Sequence, residues 1–174
     1  MATPTPTRVV LIGLMGCGKS TVGKQLAERT GWPHLDNDTL LRDATGKSLT
    51  EVAELGVDKL HEAERKVLRR VLDVPPPFVA GAAAAVLDDD PEIAELLHKR
   101  AFPVYLHVPP ETLVDRIGND VNRPWLKPDP AAALRRMYEA RDPLYRKVAA
   151  YVVDGTQPPE QIADEIYAQL PRPM

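Results

Sequence analysis

Gly13-Leu14-Met15-Gly16-Cys17-Gly18-Lys19-Ser20 places three glycines, a lysine and a hydroxyl at the G-x-x-x-x-G-K-[ST] spacing of a phosphate cradle. Successive backbone N–H groups must turn inward to bind phosphate oxygens, and glycine permits both that backbone and its close approach to a ligand. A helix starting at Lys19 points its positive N-terminus at the same anion. Lys19 then reaches the β- and γ-phosphates of ATP, and the Ser20 hydroxyl holds Mg²⁺. The nucleotide-binding set is therefore Gly13, Met15, Gly16, Cys17, Gly18, Lys19, Ser20 and Thr21, with Cys17 a passive side chain at a variable position. At typical glycine usage the bare pattern arises by chance in somewhat under about 1% of chains this long. A glycine turn without function is thus the weaker reading.

A second group is Asp36-Asn37-Asp38. At the end of a short strand, residues i and i+2 project to one side, so both carboxylates are expected to face one site. Asp36 is expected in the Mg²⁺ shell, and Asp38 is expected to take a proton from an attacking hydroxyl. The competing account makes one of them the N-cap of a helix beginning near Thr39.

These residues need a scaffold, and the sequence outlines it. Arg8 to Ile12 (RVVLI) is apolar without alternation, as in a parallel strand covered on both faces. Lys19 to Arg29 has helical spacing, and Gly31 stands where a helix terminus takes a left-handed residue. Trp32 to Asp36, Phe78 to Ala80, Val104 to Val108 and Tyr151 to Asp154 read as further strands. Ser48 to Leu55, Asp58 to Leu72, Glu92 to Lys99, Glu111 to Ile117, Ala131 to Arg141 and Glu160 to Leu170 read as helices. Alternation of this kind predicts an α/β domain with a mostly parallel sheet.

Bulk properties narrow the function. With 174 residues and a formal net charge of −3, the chain is expected to be one domain spanning 1–174, with no attraction to nucleic acid or an anionic membrane. Residues 1–7 lack the features of a signal peptide and are expected to be disordered. One cysteine permits no internal disulfide. A cytoplasmic monomer acting on a small molecule is the expectation.

In order along the chain, the phosphate cradle, Asp36-x-Asp38, GKSLTEVAELGVDKLHEAERKVL (Gly46 to Leu68), NRPWL (Asn122 to Leu126) and RDPLY (Arg141 to Tyr145) resemble the motifs of the shikimate kinase family of small P-loop kinases. The resemblance runs from about Val9 to Leu170. It implies a three-layer α/β/α P-loop NTPase fold with a five-stranded parallel sheet, Mg-ATP as donor, and a lid over 118–129 that closes on the reactants and excludes water. By motif position, Asp36 resembles the residue near the metal and Asp38 the one that activates the acceptor hydroxyl. Arg123 is similar to the lid arginine that steadies the transferring phosphate, Arg116 to a residue that stacks on adenine, and Arg141 to one that clamps the acceptor's carboxylate.

Two departures concern the acceptor. Where the family has Gly-Gly-Gly after the third strand, this chain has Ala82, Ala83 and Ala84, followed by Ala85 and the acidic run Asp88, Asp89, Asp90. Where the family has phenylalanine and then a carboxylate-binding arginine, it has Leu60 and His61. Losing a charge-assisted hydrogen bond costs about 1.5–3 kcal/mol, and an intruding methyl about 1–3 kcal/mol. Together these predict a loss of about a hundredfold to ten-thousandfold for shikimate. The acceptor half, with Asp38, His61, Ala82, Ala83 and Arg141, is thus altered while the catalytic half is intact. The leading expectation is ATP-dependent phosphoryl transfer to a hydroxyl of a small metabolite, which the retention of Arg141 suggests is acidic. A shikimate kinase with a variant loop, in which a protonated His61 assists the carboxylate, and a non-catalytic nucleotide-binding protein are the alternatives.

Overall fold

The computed structural model describes residues 2–117, 126 and 128–174. The element order is β1 (Arg8–Ile12), α1 (Lys19–Thr30), β2 (His34–Leu35), α2 (Asn37–Thr45), α3 (Leu49–Glu54), α4 (Val57–Leu72), β3 (Phe78–Gly81), α5 (Pro91–Arg100), β4 (Phe102–His107), α6 (Pro110–Ile117), α7 (Pro130–Val148), β5 (Tyr151–Asp154) and α8 (Pro159–Gln169). The strands form one parallel sheet in the order β2-β3-β1-β4-β5. Helices cover it as a three-layer α/β/α fold, as the motifs imply.

Continuous apolar runs explain the centre of the sheet. Val9, Val10, Leu11 and Ile12 of β1 and Val104, Tyr105 and Leu106 of β4 are all buried, which only strands covered on both faces permit. β1 pairs with β3 on one side and β4 on the other. After β1 the chain moves toward β2, but from β3 to β4 it must cross β1. The crevice at the carboxyl end of β1 is therefore the switch point where such sheets bind ligands.

The chain departs from the sequence expectations at three places. β2 is only His34–Leu35 and stops before Asp36, because Asp36 caps α2: its Oδ2 accepts from the Thr39 amide at 3.1 Å and the Thr39 hydroxyl at 2.8 Å. Strand alternation therefore does not orient Asp36 and Asp38. The helix expected at Ala131 to Arg141 continues to Val148, with Pro143 inside it. Residues 2–7, expected to be disordered, run along the C-terminal segment: the Thr5 amide donates to the Pro171 carbonyl at 2.8 Å, and Arg172 Nε to the Ala2 carbonyl at 2.8 Å. Among the described residues no helix is long and apolar enough to cross a membrane.

Candidate active site

The loop from Gly13 to Gly18 joins β1 to α1 on a backbone that the sequence makes possible. Gly13, Gly16 and Gly18 have φ of 149°, 81° and 99°, a region that other residues adopt only with strain. Gly13 also lacks room. A Cβ there would lie 2.8 Å from Cys17 Sγ and 3.0 Å from the Leu106 carbonyl oxygen. Gly13→Ala is expected to lower stability by about 1–3 kcal/mol and to weaken ATP binding; urea unfolding with ATP titration checks both. Unchanged unfolding and affinity would mean that the loop adopts another path.

Cys17 is buried against this loop, in keeping with a passive side chain. Lys19 folds over it, donating from Nζ to the Gly13 carbonyl at 2.7 Å and the Leu14 carbonyl at 3.1 Å. Ser20 and Thr21 are exposed at the first turn of α1. Glycines that hold the backbone open, an inward lysine and a helix N-terminus fit the polyphosphate of a nucleotide. For a magnesium ion the available donors are hard oxygens, the Ser20 hydroxyl and the Asp36 carboxylate, the type that ion prefers. Among the described residues no group of three or more His, Cys, Asp or Glu side chains could hold a metal. A phosphate-bound magnesium ion does not need such a group, because phosphates and water complete its shell.

A cleft of about 390 Å³ connects this loop to the opposite side of the site. Lys19, Ser20, Asp36, Asp38, His61, Glu64, Ala82 to Ala85 and Arg141 all line it. Asp36 reaches the cleft from the N-cap of α2, and Asp38 from the first turn of that helix. Both expected carboxylates thus border one cavity, placed there by a helix start. Arg116 lies to the side: it donates to the Gly16 carbonyl at 3.2 Å and the Gly155 carbonyl at 2.9 Å, bridging the phosphate loop to the end of β5. Arg123 lies outside the described residues, as does most of 118–129.

The alanine stretch forms a loop, with α5 starting only at Pro91. The Ala82 amide continues the sheet by donating to the Leu11 carbonyl at 2.9 Å. None of the four alanines has positive φ, so the methyl groups sit on ordinary backbone. Tyr145 donates its hydroxyl proton to the Ala84 carbonyl, and the Asp88 amide donates to the Ala85 carbonyl at 3.0 Å.

Three contributors to this site had no role in the sequence reading. Asp88 holds Arg141 in a fork: Arg141 Nε donates to both carboxylate oxygens at 3.2 Å and Nη2 to Oδ2 at 2.9 Å. Tyr145 is completely buried, and burial pushes its phenol upward in pKa. Glu64, on the buried face of α4, has its carboxyl raised to about 7 by desolvation, against the pull of Lys19 and Arg141. The acidic run and the helical period of α4 were visible, but neither names a partner. His61 is half-buried, and desolvation followed by the nearby Arg141 charge lowers its pKa. Burial and the Arg141 charge thus work against the protonated His61 of the shikimate alternative.

Glu64 makes stability depend on pH. Below pH 4.5 it is protonated whether the chain is folded or not. Between 4.5 and about 7 the unfolded chain releases the proton while the folded one keeps it, so stability falls as pH rises through this window. Glu64→Gln is expected to remove that slope. The stability difference between variant and wild type should grow in the variant's favour by up to about 3 kcal/mol from pH 4.5 to 8. Urea unfolding across that range checks it, and parallel curves would place the carboxyl in contact with water.

The shikimate kinase family model matches residues 15–171. A shikimate kinase of Neisseria gonorrhoeae is 37% identical over 150 residues, 85% of this chain and 87% of its own. One of Zymomonas mobilis is 32% identical over 173 residues, 98% of this chain and 97% of its own. The structure of shikimate kinase from Acinetobacter baumannii in complex with shikimate superposes with a TM-score of 0.88 at 32% identity, covering 95% of this chain and 93% of that one.

Proposed function

We propose, from the premise that this chain belongs to the shikimate kinase family, that its acceptor is a small polyhydroxylated compound of shikimate's size lodged between Asp38 and Arg141. The chain is a small-molecule kinase, transferring a phosphoryl group from ATP to an alcohol. One observation carries the acceptor reading: a single cleft runs from the phosphate loop past Asp38 to Arg141 and the alanine loop.

In the proposed mechanism the glycine loop and Lys19 hold the transferable phosphate, and Lys19 offsets the charge that develops on it. Asp38 accepts the proton of the acceptor hydroxyl. The hydroxyl oxygen forms the new bond to phosphorus, the bond from phosphorus to the ADP oxygen breaks, and ADP leaves. Ser20 and Asp36 are the proposed holders of Mg²⁺, which neutralises phosphate charge when bound. Arg123 is proposed to bring a further positive charge from the lid, and Arg116 to border the adenine. Each proposed group belongs to one chain, which suits a monomer, and ATP supply suits the cytoplasm.

Phosphorylation of shikimate itself is the second reading, favoured by the retained Arg141 and by the shikimate bound to the Acinetobacter enzyme. ADP release with Mg-ATP against a panel of shikimate, sugar acids, cyclitols and nucleosides tests both, with Lys19→Ala as the blank. Acceptor-dependent release above the blank is the expected result. No release above the blank with any compound would overturn the proposed acceptor class.

A further inference from the structure

We infer that Glu64 is an acceptor-binding residue, donating its carboxyl proton to the carboxylate of an acidic acceptor that Arg141 holds by charge. The inference rests on the kinase reading above, in its shikimate-like form, and adds a recognition group for the acid. Glu64 stands where packing alone calls for an apolar side chain: Leu60, Glu64, Val67, Leu68 and Val71 lie on the buried face of α4. A carboxyl in that row needs a polar reason. Among the described residues it makes no hydrogen bond or ion pair, and its charged neighbours act on it only at a distance. It nevertheless lines the cleft together with Asp38, His61 and Arg141. The partner it lacks within the protein can therefore come from a ligand.

The groups around Glu64 decide which ligand. Lys19 acts on it from α1, Asp38 from α2 and Arg141 from α7. On its own helix His61 precedes it by one turn, and Arg65 is paired with Asp90 at 3.6 Å. Tyr145 of α7 and, through Arg141, Asp88 of the loop after β3 complete the surroundings. Desolvation raises the carboxyl to about 7 against the pull of Lys19 and Arg141, so below neutral pH Glu64 carries a proton. A protonated carboxyl is a hydrogen-bond donor, and a donor to an ionised oxygen makes one of the stronger hydrogen bonds. A carboxylate at Arg141 would meet a permanent cation on one side and this O–H on the other. Its charge would in turn favour the proton on Glu64, whereas an ionised Glu64 would repel it. Binding and protonation thus reinforce each other.

Calorimetry of shikimate binding in the presence of Mg-ADP, from pH 6.5 to 8, tests this. The wild type is expected to lose about tenfold in affinity across that range, because the unliganded protein ionises at Glu64 and must regain the proton to bind. Near pH 7.5, buffers of different ionisation heat should show uptake of about half a proton or more per shikimate bound. Glu64→Gln keeps an N–H donor at every pH and should show neither slope nor uptake. His61→Gln should keep both. That second variant is needed because His61, whose pKa burial and Arg141 lower, would also gain a proton beside a bound acid; it decides the matter if Glu64→Gln does not fold. Affinity flat with pH in the wild type overturns the inference, as does a slope that survives Glu64→Gln or vanishes with His61→Gln. Failure of shikimate to bind at any pH overturns it together with the shikimate-like reading. The expected slope and uptake without ADP release from Mg-ATP would leave Glu64 in its role and sink phosphoryl transfer to shikimate.

Discussion

Lys19→Ala is expected to reduce kcat by about a thousandfold or more while the fold remains intact. In the proposed mechanism the lysine faces the negative charge that grows on the transferring phosphate, and its Nζ is held against the loop by the Gly13 and Leu14 carbonyls. A preorganised donor of this kind typically supplies about a hundred- to a thousandfold in rate, and charged groups on a transferring phosphate reach higher values. Ground-state binding should suffer less, because the backbone N–H groups and the N-terminus of α1 still face the phosphates. Single-turnover kinetics together with ATP titration separate the two effects. A kcat within tenfold of wild type would show that Lys19 does not stabilise the transferring group.

Asp38→Asn is expected to lower kcat by about a hundred- to ten-thousandfold, with the KM for ATP little changed. Asparagine keeps the shape and loses the proton acceptor. Asp38 is exposed in the first turn of α2, where its charge near the helix N-terminus contributes about 0.3–1 kcal/mol. A loose transition state asks little of a base until late in the transfer, which would place the effect toward the lower end. The pH profile adds a second signature: the acidic limb of wild-type kcat should vanish in the variant. A small change in kcat with the limb retained would assign proton removal to another group.

Asp36 shows where local reading stopped. The sequence supported both a metal-facing strand residue and a helix cap, and the structure makes it the N-cap of α2. Both accounts lead to the same cleft, since a helix N-terminus at the end of β2 also faces the switch point. The strand assignment failed because β2 is two residues long and the Asp36 carboxylate bonds to Thr39 instead.

Element order and the phosphate loop were legible because each depends on neighbours within a few residues. Glycines that admit positive φ, the lysine and hydroxyl after them, and the continuous apolar run of β1 determine that unit locally. So do both ends of α1, marked by Gly18 and Gly31, and the starts of α3 and α4, marked by Ser48 and Gly56. The three aspartates at 88–90 carry no such local instruction. Asp89 stays exposed and Asp90 caps α5, while Asp88 binds Arg141, a residue 53 positions further along. That pairing exists because the parallel sheet brings the loop after β3 against α7, although α5, β4 and α6 intervene in the chain. Sequence alone thus determined the phosphate chemistry, which short-range backbone geometry fixes. The pairing of Arg141 with Asp88 was decided only by tertiary structure, because an ion pair depends on distance in space.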